Sequence, residues 1–224
     1  MLCQSFFITG TDTDIGKTYV SSLIFKTLTK NNQNTIYYKP IQSGCYFKNS
    51  ILTAPDVDTV SKNLYKEYDK SMCSYYLLTE VSPHLAAEKE NLEINLEKII
   101  SETEERKSKC DYLIVEGAGG VYVPLVRDKF YIFDLIKNLS LPIILIVGTK
   151  VGAINHTMLT IKFLENMNIK IHGIIFNRYK GEFYEDDNIK VILHDGKINN
   201  YLTIKENQQE IDYLKLKDFL LGGN

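Results

Sequence analysis

The sequence predicts an α/β protein with a mainly parallel sheet and helices on both faces. Three observations predict it. Short apolar runs alternate with longer segments of helical period. The two greasiest runs, "DYLIVEG" and "LPIILIVG", are uninterrupted, as parallel strands covered on both sides are. And the first strand passes into the first helix through a glycine loop, the join of a βα unit.

The elements follow in order. Ser5 to Thr9 is a short apolar strand. From Gly16 to about Lys30 the period becomes helical, with Val20, Leu23, Ile24 and Leu28 on one face. "NNQN" ends that helix and "TIYYK" is the second strand. Residues 40–55 read as loop, and a helix begins near Asp56 with Val57, Val60 and Leu64 inward. A further helix is expected from Leu92 to Lys107, its "ETEERK" run forming a solvated face. "DYLIVEG" is the next strand, Ile132 to Asn138 a helix, and "LPIILIVG" the most buried strand. A helix over Asn155 to Asn166 and a strand at "KIHGIIFN" complete a β-α-β-α-β-α-β order. Beyond Asn177, "EFYEDDN" reads as a surface loop, "VIL" as a short strand, and Gln208 to Leu220 as a closing helix.

The totals bound the possibilities. With 224 residues, one domain spanning 1–224 is expected, large enough to bury a core unaided. It is 44% hydrophobic and 24% charged, with a formal net charge of −2. That balance offers no electrostatic reason to expect nucleic acid or an anionic membrane as partner. The longest greasy run has eight residues, against ~20 for a bilayer span. Residues 1–8 are too short for a signal peptide, so a cytoplasmic protein is expected. Cys3, Cys45, Cys73 and Cys110 form no C-x-x-C pair and read as ordinary thiols; disulfides are the alternative. The four histidines are scattered, which argues against zinc, and no G-x-S-x-G elbow is present.

In such a sheet, ligands bind beyond the carboxyl ends of the strands. The residues there are 10–18, 39–44, 116–120, 148–155 and Asn177. "GTDTDIGKT" ends as a phosphate-binding loop ends, although five residues rather than four separate Gly10 from Gly16. Its glycines let backbone N–H groups face a phosphate, and the following helix adds its positive end. Lys17 reaches the β- and γ-phosphates of such a nucleotide, and the Thr18 hydroxyl suits Mg²⁺. Glu116 in "VEGAGG" suits the same ion, which takes few protein ligands. Lys39 in "YKPIQSG" reads equally as a second phosphate-side cation or as a solvated lysine before a turn. In "APDVDTV", Asp56 and Asp58 are each able to bind Mg²⁺ or cap a helix, and residue type alone favours capping. The helix start near Ile154 in "KVGAINH" has free N–H groups that suit a carboxylate.

Together these stretches resemble dethiobiotin synthetase. "GTDTDIGKT", "YKPIQSG", "SPH", "VEGAGG" followed by "PL", and "VGTKVGAINHTMLT" stand in that family's order over about Phe6 to Asn177. The resemblance implies a P-loop NTPase-like fold and an ATP- and Mg²⁺-dependent ring closure. One amine of 7,8-diaminononanoate (7,8-diaminopelargonate) takes up CO₂ as a carbamate, which attacks the γ-phosphate of ATP. The second amine closes the ureido ring of the resulting carbamic–phosphoric anhydride, leaving dethiobiotin, ADP and phosphate. Lys39, Lys17 and Thr13 match catalytic positions. Gly10, Asp14, Ile15, Gly16, Lys17, Thr18 and Tyr19 match the ATP-binding loop, with Asp56, Glu116, Gly117, Ala118 and Gly119 beside the phosphates. Asn177 and Arg178 match the adenine side. Thr18, Asp56 and Glu116 match the Mg²⁺ positions, Asp56 being preferred to Asp58 because it aligns better with the Val57 and Val60 that follow. Thr13, Lys39, Ser43 and Gly120 match substrate positions. Gly152, Ala153, Ile154 and Asn155 match the segment that holds the substrate carboxylate from a partner subunit, which implies a homodimer. The family's late glycine-proline segment is replaced here by "VILHDGKINNYLTI". The rivals are another ring- or amide-forming ATPase of this fold and a partition-type ATPase switch. The latter typically carries an additional lysine where this chain has Thr9, Gly10 and Thr11.

Overall fold

The computed structural model describes residues 3–222. Its centre is a seven-stranded sheet in the order β11-β10-β9-β1-β6-β2-β5. Every pairing in it is parallel. The strands are β1 (Gln4–Gly10), β2 (Thr35–Gln42), β5 (Cys73–Tyr76), β6 (Tyr112–Gly120), β9 (Ile143–Gly148), β10 (Ile171–Tyr179) and β11 (Tyr201–Lys205). Two small antiparallel ribbons lie outside it: β3 (Tyr46–Lys48) with β4 (Ile51–Thr53), and β7 (Pro124–Val126) with β8 (Phe130–Tyr131).

Helices cover both faces because the central strands are apolar on both. Phe7, Leu113, Val115, Leu145 and Val147 join one core cluster. Helices α4 (Leu96–Lys107), α5 (Ile132–Leu139), α6 (Ala153–Asn166) and α7 (Glu185–Asp195) pack there through Ile99, Leu135, Ile161 and Ile192. Phe6, Ile8, Ile114, Ile144 and Ile146 point to the other face. There α1 (Lys17–Lys30), α2 (Pro55–Asn63) and α8 (Tyr213–Leu221) bring Ile24, Val57, Val60 and Leu216. A short helix, α3 (Pro83–Lys89), lies beside β7. Among the described residues no helix is long and apolar enough to cross a membrane. The four cysteines are free thiols.

Several expectations are corrected. Residues 40–55 are not all loop: β2 runs to Gln42 and the β3–β4 ribbon follows. Pro40 is tolerated because the register with β6 ends at Tyr38. Helix α4 starts at Leu96, not Leu92: Asn91 has a positive φ of 51°, and the Asn95 side chain caps the N–H of Lys98. The surface loop and short strand expected over 182–193 give way to α7. Three acids in its first turn suit the positive helix end, and Ile189 and Ile192 are buried three residues apart. The closing helix starts at Tyr213, where Asp212 caps the N–H of Lys215, rather than at Gln208. Strands β5 and β11, the β7–β8 ribbon and α3 were not legible at all. Each is two to seven residues long, too short to show a period.

Glu116 is corrected as well. It does not project from a finished strand. β6 continues to Gly120, and Glu116 lies inside it opposite Ile8 of β1, fully buried.

Candidate active site

The strands' carboxyl ends converge on a cleft of about 710 Å³. Thr13, Asp14, Gly16, Lys17 and Thr18 line it from the first loop, with Lys39, Ser43, Asp56, Glu116, Ala118, Gly119 and Arg178 opposite. The additional loop residue is absorbed in a 3₁₀ turn, Thr13–Ile15, whose cap Asp12 accepts from the N–H of Thr13 at 2.7 Å. Gly16 then turns at φ 94°, and a Cβ there would lie 2.3 Å from Asn177 Nδ2. Only glycine fits both demands. No side chain among the described residues caps α1, which leaves its first N–H groups to face a phosphate.

Lys17 is buried, and its Nζ donates to the carbonyls of Asp12 and Thr13, both at 2.8 Å. Burial lowers its pKa first and the charge of Lys39 second, to about 8. A bound phosphate would reverse that loss.

Lys39, Asp56 and Glu116 come from β2, α2 and β6 and meet in one cluster. Lys39 Nζ lies 2.6 Å from Asp56 Oδ2 and 3.0 Å from Glu116 Oε1, and also donates to the Gly117 carbonyl at 3.0 Å. Burial would lower the Lys39 pKa, but Asp56 and Glu116 outweigh it and hold the ammonium above the usual lysine value. Asp56 answers this: burial raises its carboxyl, yet Lys39 keeps it below the ordinary value. Glu116 accepts four bonds: from Thr18 Oγ1 (2.7 Å) and Lys39 at Oε1, and from Ser21 Oγ (2.7 Å) and Tyr37 Oη (3.2 Å) at Oε2. This suits the fully buried carboxylate, which is costly to bury unless it is hydrogen-bonded.

The donor set fits a small hard cation. One hydroxyl and two carboxylates converge, and a positive group, the Lys39 ammonium, already bridges the carboxylates. Among the described residues there is no cluster of three or more His, Cys, Asp or Glu that could hold a metal ion.

Asp58 lies elsewhere. It pairs with Lys48 (2.9 Å) and Lys62 (2.6 Å) and accepts from Tyr46 Oη (3.0 Å), fastening the β3–β4 ribbon to α2. Burial raises its carboxyl, but these partners outweigh it and bring the pKa down to about 2. The folded value lies below the free value of 3.8, so the stabilisation is full above that and disappears as pH falls to about 2. Asp58→Asn is expected to lower Tm at pH 7 by about 3 °C. The gap from wild type should shrink between about pH 4 and pH 2 in thermal scans; a constant gap would contradict the pairing.

Other expected residues stand behind the cleft. Gly10 packs on Ile15, and a Cβ on Gly117 would meet the Phe7 ring at 2.8 Å. Gly120 pairs with Gly10 across β1 and β6. Asn177 is buried and donates to the Ile15 carbonyl at 2.9 Å, while its Oδ1 has no partner among the described residues. Tyr19 is absent from the cleft wall, because its hydroxyl donates to the Gln208 carbonyl. Gly152, Ala153, Ile154 and Asn155 are also absent from it. They form the start of α6, where Gly152 turns at φ 92° with no side-chain cap. Gln42, Glu80 and Val123 line the cleft and were missed. Ser82 and Pro83 of the "SPH" stretch line it too.

The parallel sheet, the glycine loop entering α1, and a lysine and hydroxyl at that helix's start define a P-loop nucleotide-binding protein. The model of an AAA domain family matches residues 4–210. Similar solved structures include a MinC:MinD cell division complex from Aquifex aeolicus, with TM-score 0.55, 21% identity, and coverage of 99% of this chain and 86% of that one. A plasmid partition protein from Borrelia burgdorferi, bound to AMPPNP, has TM-score 0.58 at 12% identity, with 98% of each chain covered. At these identities the likeness shows the fold alone.

Sequence relatives are more particular. The chain is 56% identical to the ATP-dependent dethiobiotin synthetase BioD of Fusobacterium nucleatum over 219 residues, 98% of this chain and 99% of that protein. It is 38% identical to the protein of the same name from Clostridium perfringens over 225 residues, again 98% and 99% of the two chains. The chain belongs to the dethiobiotin synthetase family.

Proposed function

We propose that this chain is an ATP-dependent dethiobiotin synthetase, a cyclo-ligase carried by one α/β domain. The observation that carries the reading is the Lys39 ammonium, held charged between Asp56 and Glu116 beside the phosphate loop. Phosphoryl transfer to a carbamate brings two anions together, and positioned positive charge is most of what that step requires. Lys17 and the free N–H groups at the start of α1 hold the β- and γ-phosphates. Lys39 faces the oxygens that gain charge as the carbamate attacks. Thr18, Asp56 and Glu116 would hold Mg²⁺, which when bound offsets phosphate charge.

The substrate side has its own support. Ser43 Oγ is buried at the cleft with no partner among the described residues, a polar atom that a bound diamine or carbamate satisfies. Thr13 lines the opposite wall. Once the anhydride has formed, the second amine attacks its carbonyl, the C–O bond to phosphate breaks, and the ring closes. The Asn177 Oδ1, without a partner among the described residues, supports an adenine-side role as acceptor for the adenine amino group.

The enzyme is a homodimer in this reading, with the substrate carboxylate held at Gly152–Asn155 of the partner subunit. Those residues lie outside their own cleft. Exposed apolar residues flank them: Val151 is 79% exposed, Leu159 64% and Tyr122 64%. Asn155, Leu159 and Phe163 follow at helical spacing, and Tyr122 packs its ring on Phe163 at 5.4 Å. The assignment to the cytoplasm follows from the same reading.

The test is direct. Protein, ATP, Mg²⁺, bicarbonate and 7,8-diaminononanoate should yield dethiobiotin by mass, with phosphate release dependent on the diamine. Folded protein giving neither would refute the activity. A fully active monomer on gel filtration would refute the shared site alone.

A further inference from the structure

One buried carboxylate has no part in the chemistry above. Glu185 begins α7 and is 2% exposed. It accepts from the N–H of Lys180 at 2.9 Å, the N–H of Glu182 at 2.8 Å, and the Thr149 hydroxyl. Burial raises its pKa, but these donors outweigh that and keep the group ionised. One turn along α7, Asn188 Nδ2 donates to the Thr149 carbonyl at 2.9 Å. Helix α7 therefore grips Thr149 by both its hydroxyl and its carbonyl.

The two segments so tied have different destinations. Residues 180–182 follow Asn177 and Arg178, and Arg178 lines the cleft. Arg178 holds a left-handed φ of 60°, a conformation that non-glycine residues adopt only under constraint from their surroundings. Thr149 is buried and leads into the turn closed by the bond from Ala153 N–H to the Lys150 carbonyl, from which Gly152–Asn155 emerge. A neutral residue would pack α7 as well. A charged acceptor that reaches three donors on two loops fixes both loops at once.

We propose that Glu185 is a positioning residue serving two active sites. It holds the Arg178 wall of its own nucleotide site. Through Thr149 it also holds the turn that its subunit lends to the partner's substrate site. The inference rests on the homodimer reading above.

The two roles separate by mutation. Thr149→Val removes only the link to the lent turn. It raises the KM for the diamine about tenfold and leaves the KM for ATP within about twofold. Glu185→Ala raises both; Glu185→Gln, which keeps the volume and one acceptor oxygen, shows the same pattern more weakly and serves where the alanine variant fails to fold. The deciding measurement uses purified mixed dimers with Lys39→Ala subunits. Paired with Thr149→Val, one cleft keeps its lysine and receives an intact turn, so about half of wild-type turnover returns at the wild-type diamine KM. Paired with Glu185→Ala or Gln, the diamine KM recovers and the ATP KM stays raised. A mixed dimer that keeps the raised diamine KM overturns the proposal, because the defect then lies within one subunit. Recovery of the ATP KM overturns the role at the subunit's own nucleotide site. A fully active monomer instead removes the shared-site reading itself.

Discussion

Lys39→Ala is expected to lower turnover by about a thousandfold while ATP still binds within about fivefold of the wild-type Kd. The asymmetry follows from position. In the proposed function Lys17 and the start of α1 form the phosphate cradle, and among the described residues neither is hydrogen-bonded to Lys39. In the same reading Lys39 acts where the carbamate and the γ-phosphate meet, so its charge matters most when charge is developing there. The variant also leaves Asp56 and Glu116 without the cation that separates them. Asp56 should then lose its lowered pKa, and the activity that remains should fall more steeply on acidification. Steady-state kinetics with an ATP-binding titration check the claim. Turnover within tenfold of wild type would remove Lys39 from the chemistry.

Glu116→Ala is expected to cost about 3–5 kcal/mol of stability, the range for removing one partner of a buried ion pair. The carboxylate is fully buried and accepts from Lys39, Thr18, Ser21 and Tyr37 together. Alanine strands three hydroxyl groups and half-frees an ammonium in the middle of the sheet. Glu116→Gln keeps the volume and one acceptor oxygen, and should lose less stability than alanine. Both variants should need more Mg²⁺ for half-maximal activity, since one of the three proposed oxygen donors is gone or weakened. Urea unfolding and a Mg²⁺ titration measure the two effects. An alanine variant within 1 kcal/mol of wild type would show that the buried network is slack.

Much of this site was legible because its signals are local. A strand, a glycine turn and a helix of regular period follow each other between Gln4 and Lys30, and each is encoded within a few neighbouring residues. Lys39 was visible only as a lysine after a strand, and its alternative as a solvated side chain was equally good physics. Its burial between two carboxylates depends on residues 17 and 77 positions away. Asp56 and Asp58 pose the same problem within one helix. Two positions apart, they lie about 200° apart around its axis, so only one can face the cleft. Which one does is settled by how α2 packs on α1. Glu185 was hidden in a run of acids that reads as solvated loop. Its burial comes from three donors on two loops, none of which a periodicity reveals.

The sequence by itself determined the parallel α/β architecture and the phosphate loop, because burial period and loop chemistry are written in short-range spacing. The tertiary structure alone decided which carboxylates meet Lys39, that Glu116 lies within a strand, and that α7 grips Thr149. Those contacts join segments brought together only by strand register and helix packing, and no local pattern encodes them.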